Sequence, residues 1–419
     1  MNPPPRDTFL LFTTRILRLF AYGFLSVVLA LYLAEVGLSD GQIGLLLSLT
    51  LAGDASVTLW ITTTADRIGR RRMLILGALL MILAGGVFLL TRDPLLLTLA
   101  AIIGVISPSG NEIGPFLSIE QAGLTQLVPD ERRTNVFAWY NLAGSFATAT
   151  GALSGGWLAT GLQNGGMTAL LSYKVVLTGY ALAGLVLIVC FLGLSSAVEV
   201  AVGAGSSRPA GEPARTGEPR PYLGLYKSRG VVLKLSSLFA LDAFAGGLII
   251  QTMFAYWFHV KFGVEPGVIG SIFFGANILA GISALLAAPM SRKFGLINTM
   301  VFTHIPSNLL LMLVPLMPNL PLAIAVLLAR FSISQMDVPT RQSYTMAVVA
   351  PDERSAASGV TAIARSIGAS VSPALTGFFL SVPALLSMPF FLCGGLKIVY
   401  DLLLFREFRA VKPPEEGQG

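Results

Sequence analysis

LTQLVPDERRTN at 124–135 and MAVVAPDERSAA at 346–357 carry the same charged tetrapeptide, PDER, 222 residues apart, each time after a long apolar run. Proline cannot continue a helical hydrogen-bond ladder and charges need water, so each PDER reads as the stop of an apolar helix. One stop signal says little. Two at matched places in the two halves of a chain point to a duplicated unit.

Composition sets the solvent of that unit. Of 419 residues, 54% are hydrophobic and 12% charged, with mean hydropathy +0.74. A water-soluble chain carries about 25% charged residues, so this one is solvated mainly by lipid. A bilayer-spanning helix needs about 20 apolar residues. That yardstick gives twelve spans: 9–34, 41–63, 73–91, 95–127, 135–160 and 170–197, then 231–258, 266–290, 297–316, 320–349, 356–380 and 384–405. The stretch between the two sets is rich in Gly, Pro, Ser and Arg and cannot bury enough apolar area to fold alone. The expected organisation is a six-helix half at 1–197, a cytoplasmic linker at 198–230, a second six-helix half at 231–406 and a tail at 407–419. The first span is long enough to cross and Glu35 follows it directly, so no cleavable signal peptide is expected.

Lysine and arginine orient the chain, because they stay on the cytoplasmic side. With the N-terminus inside, 21 of 28 basic residues fall on that face and only Arg92, Lys174 and Lys261 on the other. Both termini and the linker are therefore expected in the cytoplasm, in a plasma (inner) membrane. The same bias explains the formal charge of +6 without a nucleic-acid partner. Cys190 and Cys393 lie in apolar segments as packing residues. With His259 and His304 as the only histidines, a multi-histidine metal site is not expected.

The repeat extends to the basic loops. ADRIGRRR at 65–72, after span two, has a counterpart in SRKFG at 291–295, after span eight. Parallel halves with a site between them, rocking to expose it alternately, are a recurring transporter plan. At these residues the chain becomes recognisable: Thr62-Thr-Thr-Ala-Asp66-Arg67-Ile-Gly69-Arg70-Arg71-Arg72 resembles the Gly-x-x-x-Asp-Arg-x-Gly-Arg-Arg/Lys loop of the major facilitator superfamily. Thr62 replaces the family's first glycine. The resemblance implies an all-α membrane protein of twelve transmembrane helices in two pseudo-symmetric halves, a small-molecule cargo, protons as coupling ion and a monomer. It also implies that Asp66, Arg67, Gly69 and Arg70 belong to a cytoplasmic gate between spans two and eleven. Arg71 and Arg72 read as topology anchors. The family's proton antiporters carry Gly-x-x-x-Gly-Pro-x-x-Gly-Gly in span five; here Ala147 and Ala152 replace a glycine and the proline, while Gly151, Gly155 and Gly156 remain. Small residues let helices approach in lipid without any antiport, and they point only weakly to drug or metabolite efflux.

A charge at a helix centre costs about 2.5–3.5 kcal/mol on insertion scales, so each needs a partner or a wet cavity. In the family, spans one, four, seven and ten line the cavity. Span four, GVISPSGNEIGPFLSIEQAGL, has Pro108, Gly110, Gly114 and Pro115 disturbing its middle beside Asn111 and Glu112, with Glu120 about two turns on. Span ten, ARFSISQMDVPTRQSY, aligns Arg330, Asp337 and Arg341 on one face. Asp337 and Arg341 sit at i and i+4 and can pair. These six, Asn111, Glu112, Glu120, Arg330, Asp337 and Arg341, are the expected cargo and proton pathway. Glu112 or Asp337 would carry the proton, as a carboxyl whose apolar cleft makes it titratable; fixed structural pairs are the alternative. Asp54 and Arg365 lie at similar depth in spans two and eleven and could bridge the halves. Arg18 could pair with Glu120, Arg15 suits snorkelling to the headgroups, and Asp242 has no assignable partner. Tyr22, Tyr140, Tyr256, Trp257 and Tyr344 read mainly as packing or anchors.

With no GxxxxGK[ST] loop, HExxH or GxSxG, neither a cofactor nor an enzyme is expected. The reading is a secondary transporter, proton-coupled and exporting a small organic molecule. An importer or facilitator of a polar metabolite is the alternative. A membrane-embedded enzyme or receptor is a distant one.

Overall fold

The computed structural model describes residues 5–110, 116–199, 225–350 and 353–409. Among them lie sixteen α-helices, which the twelve spans account for. Span one is α1 (Pro5–Ser26) and α2 (Leu29–Val36), span two α3 (Asp40–Ile68), span three α4 (Arg70–Leu90), and span four α5 (Pro94–Ile103) with α6 (Phe116–Leu127). Span five is α7 (Asp130–Asn164) and span six α8 (Ala169–Leu192). In the second set, span seven is α9 (Arg229–Gly247) and α10 (Gln251–Phe262), span eight α11 (Pro266–Phe294) and span nine α12 (Leu296–Leu313). Span ten is α13 (Leu320–Phe331) and α14 (Asp337–Val348), span eleven α15 (Arg354–Leu380) and span twelve α16 (Met388–Phe408).

Four spans are broken, and they are one, four, seven and ten. The causes differ. Gly104 and Pro108 end α5, and Gly110 follows at φ 69°, a left-handed backbone. Gly246 and Gly247 precede the gap in span seven. In span ten Pro339 occupies the first turn of α14, where its missing N–H costs nothing but stops α13 from running through. Span one breaks at Val27–Val28 with neither residue type, so its break is imposed from outside. A shift of 222 carries 27–28 onto the gap at 248–250. The breaks also explain hydropathy. Nine described segments are long and apolar enough to cross a membrane, while spans four and ten supply only short apolar helices. Span five is 35 residues long but diluted by Gly, Ser, Thr and Asn.

Packing repeats too. In the first half α1 lies on α7 and α4 on α8; in the second α9 lies on α15 and α12 on α16. Two seams join the halves, α3 with α15 and α7 with α11. Backbones touch there. A Cβ on Gly44 would sit 2.4 Å from the Pro373 carbonyl oxygen, and one on Gly156 2.2 Å from that of Pro266. Both contacts lie near the span ends far from the chain termini. Outward faces are apolar, as on α8, where Leu182, Leu185 and Val189 are exposed. That is the surface lipid requires.

At the termini side, each PDER both ends one span and starts the next: Pro129 caps α7 and Glu353 caps α15. The Glu353 carboxylate accepts from the N–H groups of Tyr226, Lys227 and Ser228 at 2.6, 2.7 and 2.8 Å, closing the start of α9. Burial alone would raise this carboxyl; the hydrogen bonds from Ser228 and the N–H of Lys227 outweigh it and hold it below its ordinary range. The matched glycines of the basic loops, Gly69 at φ 112° and Gly295 at φ 83°, make the sharp turns between spans two and three and between eight and nine.

Candidate functional site

The breaks meet. Backbone groups freed in lipid need partners, and here spans supply them to one another. The Thr252 N–H donates to Pro108 O at 3.0 Å, and its hydroxyl donates to Ser26 O at 2.9 Å. Gln251 Nε2 donates to Ser26 Oγ at 2.7 Å and Asn277 Nδ2 to Gln251 Oε1 at 3.2 Å. Thr148 donates to Gly110 O at 3.2 Å. In span ten the Gln335 N–H donates to Ser283 Oγ at 3.2 Å. Spans one, four and seven are thus tied at their breaks, and these ties explain why span one bends without glycine or proline.

A cavity of about 650 Å³ lies against this junction. Its described lining includes five cations, Arg15, Arg330, Arg341, Arg365 and Lys397, and two carboxylates, Asp242 and Asp337. Gln251, Asn277 and Asn141 add neutral polar groups, His304 an imidazole, and Phe254, Phe273 and Phe331 an apolar wall. A neighbouring cavity of about 360 Å³ is lined by Asp54, Arg365, Asp242 and Lys397.

Asp242 is the hub. From α9 it receives Lys397 of span twelve at 2.5 Å, Arg341 of span ten at 3.0 Å and Arg365 of span eleven at 3.1 Å. Arg341 also reaches Asp337 at 3.2 Å, so one guanidinium serves two carboxylates. Beside the hub, His304 Nδ1 lies 2.9 Å from Asp401, which Asn308 also approaches at 3.4 Å. The first half has its own closed pair: Arg18 donates twice to Glu120, at 2.8 and 2.7 Å, with both side chains fully buried. Tyr140 and Thr14 also donate to Glu120, and Arg18 lies over the Phe116 ring. Shifted by 222, Arg18 falls two residues from Asp242 and Glu120 one from Arg341. The two halves therefore place an ion pair between equivalent spans with the charges exchanged.

The expected residues divide accordingly. Arg330, Asp337 and Arg341 share the cavity wall. Glu120 is enclosed in its pair with Arg18, away from that wall. Arg15 does not snorkel: it is 5% exposed, donates to Tyr140 O at 2.8 Å and stacks on the Tyr140 ring. Asp54 and Arg365 line one cavity, but the Arg365 guanidinium bonds to Asp242. Asn111 and Glu112 lie outside the described residues, as does the Asp66 side chain. Arg67 is exposed at the end of α3. Arg70, after Gly69, bonds to the segment following span six: its N–H reaches Glu199 at 2.7 Å and its side chain Val198 O at 3.3 Å. Lys397, Asp401 and His304 were not singled out; the signal for the first two was an i, i+4 charge pair inside an apolar span.

The sequence matches the family model described as Major Facilitator Superfamily over residues 11–373, and again over 235–419. It is 32% identical to an uncharacterized membrane protein of Saccharomyces cerevisiae, YJR124C, covering 97% of this chain and 95% of that one. Among solved structures, a D-xylose-proton symporter superimposes with TM-score 0.71 at 14% identity, covering 98% of this chain and 99% of that one. A bacterial homolog of the human lysosomal transporter Spinster, inward-facing and unoccupied, gives TM-score 0.68 at 18% identity, covering 96% and 95%. The chain belongs to the major facilitator superfamily. It is a multi-pass membrane transporter, not an enzyme.

Proposed function

We propose that this member of the major facilitator superfamily is a proton-coupled carrier of a small polar organic molecule, with Asp337 taking up the proton. The observation that carries the reading is the shared guanidinium. Arg341 holds Asp242 at 3.0 Å and Asp337 at 3.2 Å. A buried charge left without a partner is costly. Asp337 can gain a proton without that cost, because Arg341 keeps Asp242. Each protonation then changes the charge of the cavity wall by one. Glu112 remains the other proton candidate.

Movement follows from the seams. The glycine contacts at Gly44 and Gly156 close the halves together on the face away from the termini, while the cavity lies between them. Rocking of 1–197 against 231–406 would open that face and close the other. The positive-inside bias supports cytoplasmic termini, and we place the protein in a plasma (inner) membrane as a monomer. Export was suggested by the small residues of span five. Gly151 and Gly155 pack on the Phe20 and Phe24 carbonyls of span one, and Gly156 on span eight. Packing alone accounts for them, so direction turns on whether proton and cargo bind together, which drives import, or exclude one another, which drives export.

The test separates coupling from carriage. In proteoliposomes, Asp337→Asn should retain exchange of cargo at equal concentrations and lose uphill accumulation driven by a pH gradient. Benzoate, citrate, glucose 6-phosphate, glucose and benzylamine serve as cargo. Uphill accumulation unchanged in Asp337→Asn overturns the assignment of the proton to that residue.

A further inference from the structure

We infer that the cargo is an organic anion, a small molecule bearing a carboxylate or phosphate, and that Arg330 is the group that reads its charge. This rests on the transport reading and names its substrate class. Among the described residues, every other feature of the cavity's electrostatics is internally answered. Asp242 takes Lys397, Arg341 and Arg365, and Asp337 takes Arg341. Arg330 is different. It leaves span ten at the end of α13, lines the cavity and stacks on the neighbouring Phe331 ring at 4.6 Å. Its Nε is buried with no hydrogen-bond partner. A guanidinium in such a place presents a planar fork of donors, matched to the paired oxygens of a carboxylate or phosphate.

The described part of the wall agrees, with five cations facing two carboxylates. A cargo without an acidic oxygen would leave the Arg330 Nε–H without an acceptor; an anion supplies one beside the more distant charge of Asp337. Phe254 and Phe273 offer the body of the molecule an apolar surface, and Gln251 and Asn277 offer it hydrogen bonds. About 650 Å³ suits a small organic ligand. The proton and the anion then help one another. A proton on Asp337 removes a negative charge from the wall, which favours the anion, and by linkage the bound anion favours the proton. That is the sign of cotransport, and against an inward proton gradient it makes the carrier an importer.

The test is binding by the purified full-length protein in detergent, without membrane or gradient. Benzoate is compared with benzamide and benzylamine, and glucose 6-phosphate with glucose, by thermal shift and calorimetry. At least one acid should bind and its uncharged partner should not. Arg330→Gln should weaken that acid by about tenfold or more, the worth of a charge-assisted hydrogen bond. If Arg330→Gln does not fold, Arg330→Lys decides: weaker binding of the same acid supports the proposal and unchanged binding overturns it. A response confined to benzoate identifies a carboxylate cargo, and one confined to glucose 6-phosphate a phosphate. The inference is overturned if uncharged or cationic members bind as well as the acids, if no acid binds, or if Arg330→Gln binds as wild type. Acid binding without proton-linked flux would sink the coupling alone and leave this inference standing.

Discussion

Replacing Asp242 by asparagine removes one charge, keeps the shape, and takes a carboxylate from three cations, of which only Arg341 keeps another, Asp337. At an effective dielectric of about 20, unit charges 3 Å apart attract by about 5 kcal/mol. The three partners are not equal. Lys397 and Arg341 are 12% and 8% exposed and keep most of that attraction, whereas Arg365, at 36%, is screened to about 0–1 kcal/mol. Desolvation of the buried charges offsets much of the gross attraction, and removing one member of a buried pair typically costs about 3–5 kcal/mol. Asp242→Asn is therefore expected to lose about that much, read as a lower midpoint in thermal unfolding of the detergent-solubilised protein. Adding Lys397→Met should recover part of the loss, since one stranded cation is gone, while Arg365→Gln added to Asp242→Asn should recover little. An Asp242→Asn protein as stable as wild type would refute the hub, and so would a double variant no better than the single.

Three further outcomes follow from the same geometry. Glu120→Gln strands Arg18 in a fully buried site and should cost about 3–5 kcal/mol, with Arg18→Met/Glu120→Leu regaining most of it in the same unfolding assay. Gly44→Val drives a side chain into the Pro373 carbonyl, so it should cut transport while leaving yield of folded protein intact and should raise labelling, from the face away from the termini, of a cysteine introduced at Asn277 in the cavity wall. Glu353 is held below its ordinary value, about 4.3, so its contribution is present above that pH and lost as pH falls through the lower folded value. Glu353→Gln should therefore be less stable than wild type at pH 7, and the gap should close in acid; a gap independent of pH contradicts the cap.

The fold was legible because lipid enforces it. Apolar length marked the spans, the doubled PDER marked the repeat, and proline and glycine marked the break in span four; the breaks in spans seven and ten, at Gly246, Gly247 and Pro339, were not expected although the same residue types stand there. The break in span one was not legible, since Val27 and Val28 carry no breaking chemistry and the bend is held by Gln251 and Thr252 of another half. Local pairs were readable from spacing, as with Asp337 and Arg341. The hub was not: Asp242 meets Lys397 and Arg365 across 155 and 123 residues, distances at which a single sequence carries no pairing signal. Arg365 was expected opposite Asp54 because depth alone was compared, and depth does not say which face of a helix a side chain takes.

The most direct measurement is lumenal pH in proteoliposomes, with benzoate, citrate or glucose 6-phosphate added outside and wild type run beside Asp337→Asn. The account predicts cargo-dependent entry of protons with the anion in wild type and none in the variant. Cargo entry without any pH change in wild type, or proton movement undiminished in Asp337→Asn, would contradict it.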